Sequence, residues 1–486
     1  MQTKAYDLVI IGGGPAGIVA AATATKLGKT VALVDSHHEL GGAGINTGTV
    51  PSKTLRETAL ALSGLRSRAL YGVDLSLRRE ATVEDFLHHE RAVKVGANAM
   101  LSKLLETSGS HVYAGSAAFQ DPNTIRVQSL AASLEGESEP SAPGHLLRGE
   151  RVLIATGSVP IRPPLYPFGP GVYDSDTILE LVRLPRSIAI VGAGVIGSEY
   201  ACTFSTLGSQ VHLIDGRDAL LPFLDHEISA ALENAMRLSG VVFHWGKNLE
   251  SCTNDGVGGV TIVLSSGERL VVDAILAAAG RSGNTNTLRL DVAGVAVGAH
   301  GTIQVDEHFQ TSVPHIFAAG DVVGPPALAS TSMRQARIAV ARAFNVSERT
   351  SASQQLPYGV YTIPEVGTIG ETESALVKRE AAYFVGRARY DSNARGRIIG
   401  DACGFLKLLF DRRNGKLLGV HVIGEHATEL VHLGMMAMLA GFTVDTIAEA
   451  CFNTPTLGEL YASAAFDAIR SAPADWARIE ISQSAH

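Results

Sequence analysis

Two stretches of this chain space their glycines in a way that lets a backbone turn cradle a pyrophosphate. Gly12-Gly-Gly14-Pro15-Ala16-Gly17 and Gly192-Ala-Gly194-Val195-Ile196-Gly197 each follow a short apolar run and open a helix-forming stretch. In such a turn the first glycine permits the tight bend and the second lets the backbone approach a phosphate. The third lets helix and strand pack closely, with the helix N-terminus facing the negative charge. An aspartate, Asp35 or Asp215, stands 18 residues beyond each third glycine, where a carboxylate can accept ribose hydroxyls. Asp215 favours NAD, whereas Arg217 and Arg186 offer positive charge to an adenosine 2′-phosphate, so the second site suits both NAD and NADP.

The elements that must position these turns repeat one plan. Asp7–Ile11 reads as a buried strand, a helix follows through Lys26, and Thr30–Val34 forms the next strand. Ile188–Val191, a helix through Leu207, and Gln210–Ile214 duplicate it. Five prolines between Pro160 and Pro170 mark a linker, and Leu130–Arg148, rich in Ser, Pro, Gly and Glu, reads as a hairpin loop or insertion. From Leu356 onward the pattern becomes α+β. Strands are expected near Ala382–Ala388, Phe405–Asp411 and Leu417–Ile423, with helices from Glu429 and Thr456; the apolar run Leu430–Leu439 suits burial. The fold class is therefore α/β, with two Rossmann-like dinucleotide-binding domains and a C-terminal α+β domain.

Composition narrows the classes. A chain of 486 residues accommodates several cores, and 46% hydrophobic residues argue against disorder. A net charge of −8 gives no reason to expect nucleic acid as a partner. No signal segment and no apolar run of ~18 to 20 residues is evident, so a cytoplasmic protein without membrane partners is expected. Cys202, Cys252, Cys403 and Cys451 lie far apart, which predicts neither a disulfide framework nor a metal site.

Arg151-Val-Leu-Ile-Ala-Thr156-Gly157 and Thr311-Ser-Val-Pro-His-Ile-Phe-Ala-Ala-Gly320-Asp321 resemble matching motifs of flavoproteins with two dinucleotide-binding domains. The resemblance implies FAD in the first site, with Asp321 on its ribityl chain and a helix after Pro326 aimed at the flavin. Gly41-Gly42-Ala-Gly44-Ile-Asn-Thr-Gly-Thr49-Val-Pro-Ser-Lys53 resembles the redox segment Gly-Gly-x-Cys-x-x-x-x-Cys-x-Pro-Ser-Lys of the flavoprotein disulfide reductases. Gly44 and Thr49 stand where both cysteines belong. Without a thiolate, thiol–disulfide exchange cannot occur there. Phe452-Asn-Thr454-Pro-Thr-Leu-Gly-Glu459 resembles the family's His-x-His-Pro-Thr-x-x-Glu, with Thr454 in place of the acid–base histidine and Glu459 left without that partner. By the same resemblance Lys53 and Glu199 form an ion pair beside flavin N5, the catalytic pair that survives. Val195 replaces a gating aromatic, and Gly280-Arg281 lines the pyridine nucleotide site.

Within that family the chain is similar to the soluble pyridine nucleotide transhydrogenases from about Tyr6 to Arg470. Gly48–Lys53, Arg217–Glu227, Gly280–Thr285, Tyr361-Thr-Ile-Pro-Glu365 and Phe452–Thr456 carry the likeness. It departs at Gly44, where those enzymes often keep one cysteine. The resemblance implies an FAD-dependent oxidoreductase that transfers hydride from NADPH to NAD by a ping-pong route needing no acid–base residue. It further implies a homodimer in which Thr454 and Glu459 act across the interface. The domains become FAD-binding (residues 1–159 and 285–350), NAD(P)-binding (160–284) and C-terminal dimerisation (351–486). An NAD(P)H-dependent quinone or dye reductase and a non-catalytic flavin-binding redox sensor are the alternatives.

Overall fold

In a computed structural model the structure describes residues 3–63, 82–129, 144–254, 259–346 and 355–472. Strand β1 (Thr3–Ile11) lies between two parallel neighbours, which is why Leu8, Val9, Ile10 and Ile11 are all buried rather than alternating. Gly14 ends the turn, and helix α1 (Pro15–Lys26) starts on a proline, whose missing N–H costs nothing at that position. Strand β2 (Val31–Asp35) follows, then α2 (Gly42–Asn46), α3 (Thr49–Leu62) and α4 (Val83–Ser108), the last opened by a Thr82–Asp85 capping box. Strands β3 (His111–Asp121), β4 (Thr124–Ser129) and β5 (His145–Ile154) extend the first sheet.

The expected loop at Leu130–Arg148 is corrected in part. Residues 130–143 lie outside the described residues, whereas His145–Arg148 belong to β5 and pair with both β4 and β1. Leu147 is buried there, and that inward apolar side chain outweighs the polar composition of the stretch preceding it.

After β6 (Ser158–Pro160), the second unit repeats the plan with β7 (Val172–Asp174), β8 (Ser187–Val191), α5 (Val195–Thr206), β9 (Gln210–Asp215), α6 (His226–Leu238) and β10 (Val241–Trp245). An antiparallel meander of β11 (Leu249–Asn254), β12 (Val260–Leu264) and β13 (Arg269–Val272) covers one face. Strand β14 (Ala274–Ala277) completes the parallel sheet, in the order β10-β9-β8-β14-β7. The chain returns through β15 (Arg281–Gly283), α7 (Leu290–Ala293), β16 (Ile316–Ala318) and α8 (Ala329–Ala343), with β16 joining the first sheet beside β5.

The third unit is a five-stranded antiparallel sheet, ordered β17-β18-β21-β20-β19. In chain order its elements are β17 (Tyr358–Val360), β18 (Val366–Gly370), α9 (Glu373–Lys378), β19 (Tyr383–Arg389), α10 (Ala394–Ile399), β20 (Phe405–Asp411) and β21 (Leu417–Ile423). Helices α11 (Ala427–Leu439), α12 (Val444–Glu449) and α13 (Glu459–Ser471) follow. Only one face of α11 meets the expectation of burial. Leu430, Val431 and Ala437 are covered, while Leu433, Met436 and Leu439 are 45%, 60% and 52% exposed, an apolar stripe left open on a single chain. The helix expected from Thr456 begins three residues later, at Glu459.

Candidate functional site

The two glycine turns have the same geometry. A Cβ on Gly17 would lie 1.8 Å from the Gly12 carbonyl oxygen, and one on Gly197 would lie 1.8 Å from that of Gly192, so helix and strand approach at a distance only glycine allows. In each turn the aspartate accepts a hydrogen bond from the residue between the first two glycines. Gly13 N–H donates to Asp35 and Ala193 N–H donates to Asp215, both at 2.6 Å.

Between the units opens a cavity of about 1500 Å³, lined by Gly12, Gly14, Pro15, Ala16 and Asp35 on one side and by Gly194, Val195, Ile196 and Glu199 on the other. Gly42, Thr49, Lys53, Thr156, Gly157, Gly280, Arg281, Gly320 and Asp321 complete the sequence-predicted residues on its wall. Gly17, Gly192, Gly197, Asp215 and Arg217 are not on that wall. The first and third glycine of the second turn serve packing, and the acidic end of the second site lies beyond the cavity.

The wall fits a flavin dinucleotide. The hydroxyls of Thr156 and Thr331 are buried on it and find no partner among the described residues, as expected where a ligand completes the hydrogen bonding. Ser158 Oγ donates to Asp321 at 3.0 Å. Ala327, Leu328 and Ala329, where α8 starts, also face the cavity, so the positive end of that helix opens on it.

At the centre Lys53, in the first turns of α3, donates to Glu199 Oε2 at 2.6 Å. The other Glu199 oxygen accepts the Tyr361 N–H at 2.9 Å, and Lys53 Nζ stands 4.8 Å from the centre of the Tyr361 ring. The sequence brought Lys53 and Glu199 together through resemblance alone; it gave no role to Tyr361, which arrives from the third unit. Tyr200, also unassigned, lines the cavity with a buried hydroxyl that has no partner among the described residues.

Gly44 and Thr49 both face the cavity, and a Cβ at Gly44 would come within 2.8 Å of Pro15 Cγ. All four cysteines are described and unpaired, and none lines this wall. Burial pushes the Cys202 thiol up to about 12, so it supplies no thiolate near neutral pH. Arg281 is no exposed turn residue. Its guanidinium is held by Ser158, Ser175 and Asp176, which fixes it as part of the wall.

At the second acidic site only one of the two expected arginines stands near Asp215. Arg217 grips Asp215 with two hydrogen bonds, Nε at 2.8 Å and Nη2 at 2.7 Å. Burial alone would raise the Asp215 carboxyl, but these bonds and two backbone N–H donors take it down to about 2. Arg217 is therefore paired with Asp215 through a guanidinium that stays half exposed. Arg186, by contrast, precedes β8 and lies next to Gln210, at the start of β9, while Asp215 ends that strand. Positive charge from Arg186 thus sits at the wrong end of the sheet. Glu459 also has a partner, since Thr454 Oγ1 donates to it and Thr456 N–H donates at 3.1 Å. Neither Thr454 nor Glu459 lines the cavity of a single chain.

Among the described residues no cluster of three or more His, Cys, Asp or Glu side chains is arranged to hold a metal, and no helix is long and apolar enough to cross a membrane. The model of the pyridine nucleotide-disulphide oxidoreductases matches residues 6–341, and that of their dimerisation domain matches residues 356–465. A soluble pyridine nucleotide transhydrogenase of Mycobacterium tuberculosis is 42% identical over 466 residues, 96% of this chain and 97% of that protein. One of Colwellia psychrerythraea is 37% identical over 468 residues, 96% of this chain and 98% of its own. Among solved structures, the HOCl-induced flavoprotein disulfide reductase RclA of Escherichia coli is 27% identical, covers 95% of this chain and 99% of its own, and superposes with a TM-score of 0.84.

Proposed function

This chain belongs to the pyridine nucleotide-disulphide oxidoreductase family, and we propose that it is an FAD-dependent transhydrogenase that moves hydride from NADPH to NAD. The observation that carries this reading is a cavity that keeps the Lys53–Glu199 pair while Gly44 and Thr49 replace the thiols. FAD, when bound, supplies a two-electron acceptor and donor that one nicotinamide can reduce and another can oxidise.

The chain's own residues position and polarise. The turn at Gly12–Gly17 and Asp35 would hold the FAD pyrophosphate and ribose, and Asp321 with Thr156, Gly157 and Gly320 would hold the remainder of the cofactor. The turn at Gly192–Gly197, with Gly280 and Arg281, would seat the nicotinamide nucleotide. Lys53, fixed by Glu199, places a cation on the wall where negative charge develops, and such a preset charge needs no rearrangement during reaction. Both nucleotides use this position in turn. Because hydride exchange between nicotinamides has no net proton requirement, Thr454 in place of an acid–base group costs nothing. Arg217 reads the 2′-phosphate of NADPH, and Asp215, once released, reads the ribose of NAD.

We read residues 1–159 and 285–350 as the FAD unit, 160–284 as the nicotinamide unit and 351–486 as the dimerisation unit. The exposed apolar stripe of α11 supports a homodimer. Four unpaired cysteines support a reducing, cytoplasmic setting. Initial rates of NADH formation measured across both NADPH and NAD concentrations test the proposal. Parallel double-reciprocal lines are expected; absence of NADH formation contradicts the activity, and converging lines contradict the alternation. A second reading, reduction of a quinone or dye, draws on the apolar side chains Val431, Met435 and Leu439, which also line the cavity.

A further inference from the structure

The segment Tyr361-Thr-Ile-Pro-Glu365, which leads from β17 into β18, touches both members of the central ion pair and is itself pinned from two sides. Its first residue gives Glu199 a main-chain N–H at 2.9 Å and puts its ring 4.8 Å from Lys53 Nζ. Its last residue, Glu365, is buried. Glu365 accepts the Thr428 hydroxyl at 2.8 Å on one oxygen and meets the Arg56 guanidinium at 3.2 Å on the other. Arg56, also buried, reaches into the segment again and donates to the Thr362 carbonyl at 3.0 Å. Arg56 is three residues beyond Lys53 on α3, so one helical turn delivers one cation to Glu199 and another to the segment that holds Glu199. Thr428 lies in the first turn of α11, the helix whose outer face carries the exposed apolar stripe.

We propose that Tyr361 is a positioning residue for the hydride-transfer site: its N–H and ring fix the Lys53–Glu199 pair, and the Arg56–Glu365–Thr428 chain, which links α3 to α11, holds Tyr361 in place. The geometry gives the third unit a part in a reaction whose two glycine turns lie in the other two. Besides Glu199, Lys53 Nζ reaches only the neighbouring Ser52 Oγ, at 3.3 Å, which leaves its far side unrestrained by hydrogen bonds. An aromatic face on its other side restricts it, because the ring's quadrupole attracts the ammonium most strongly where water is partly excluded. Lys53 is 26% exposed and Glu199 8%, so this contact is shielded on the glutamate side and open to the cavity on the other.

The proposal rests on the transhydrogenase reading for its reaction, but its test is separable from that reading. The midpoint potential of the bound flavin is measured by chemical reduction of the FAD-loaded enzyme, without nicotinamide, in wild type, Tyr361→Phe, Tyr361→Leu and Glu365→Gln. Flavin reduction by NADPH is measured in parallel by stopped flow, and folding by thermal melting. Tyr361→Leu should move the potential to more negative values and slow reduction by roughly tenfold, the loss of one partly shielded cation–π contact. Tyr361→Phe, which keeps the ring, should restore both; Glu365→Gln should move both in the direction of Tyr361→Leu. In a Lys53→Met background the change Tyr361→Leu should add nothing, since Tyr361 acts through Lys53. An unchanged potential in both Tyr361→Leu and Glu365→Gln overturns the positioning role, as does an effect of Tyr361→Leu that persists without Lys53. Wild-type enzyme that NADPH leaves oxidised would overturn the transhydrogenase reading, and the potentials would still decide the role of Tyr361.

Discussion

Replacing Arg217 by glutamine should separate NADPH from NADH. The Arg217 guanidinium is 47% exposed while the Asp215 carboxylate it grips is 9% exposed, so the arginine can turn outward and the aspartate cannot follow. A 2′-phosphate would take over the guanidinium through charge-assisted hydrogen bonds, each of about 1.5–3 kcal/mol. Losing one such contact corresponds to roughly a 10- to 150-fold rise in KM for NADPH. NADH is affected in the opposite sense. Its ribose must compete with Arg217 for Asp215, and a half-exposed ion pair is worth only about 0.2–1 kcal/mol. Freeing Asp215 should therefore lower KM for NADH by at most roughly fivefold. The assay is flavin reduction by each nucleotide in stopped flow, with saturation curves for wild type and Arg217→Gln. If both nucleotides weaken in parallel, or neither changes, Arg217 does not read the 2′-phosphate and the competition for Asp215 is wrong.

Other perturbations reach other parts of the molecule. Lys407 is 1% exposed and bonds Asp225, Glu227 and Glu373, joining α6 to the third unit; Lys407→Met leaves the buried Asp225 carboxylate without its cation and should destabilise by about 3–5 kcal/mol in denaturant unfolding. Arg387 and Lys407 hold Glu227 down at about 2, below its ordinary 4.5, so its contribution is intact above pH 4.5 and is lost as pH falls toward 2. Melting temperatures across that range should fall less steeply in Glu227→Gln than in wild type. Introducing both cysteines, Gly44→Cys with Thr49→Cys, should not create disulfide reductase activity. The Cβ at position 44 meets Pro15 at 2.8 Å, an overpacking cost of about 1–3 kcal/mol, and Thr454 supplies no base; turnover of a disulfide substrate by this variant would refute that reasoning.

The features legible in the sequence are those whose geometry is set by neighbours along the chain. Gly12, Gly14 and Gly17 define a turn by their spacing, and Asp35 follows at the end of the next strand because strand and helix lengths in such a unit are nearly fixed. Arg186 misled because proximity to a motif does not say which end of a strand a residue occupies; the parallel register of β8 on β9 decides that. His145–Arg148 were hidden by the Ser- and Pro-rich stretch before them, although β4 needed a partner edge. Tyr361 carried no local signal. It lies 162 residues from Glu199 in sequence, and only the docking of the third unit brings its N–H there. Glu459 was read as unpartnered because a histidine was sought, whereas a threonine hydroxyl fills the same hydrogen-bonding role without the titration.

Hydride transfer by way of the flavin is decided by what the reduced enzyme does next. Anaerobic enzyme loaded with FAD is mixed with one equivalent of NADPH until the flavin absorbance is bleached, and NAD is then added in a second mix. The absorbance should return on the timescale of a turnover, with NADH appearing in equal amount. A flavin that stays bleached with NAD yet recovers on addition of a quinone would contradict it.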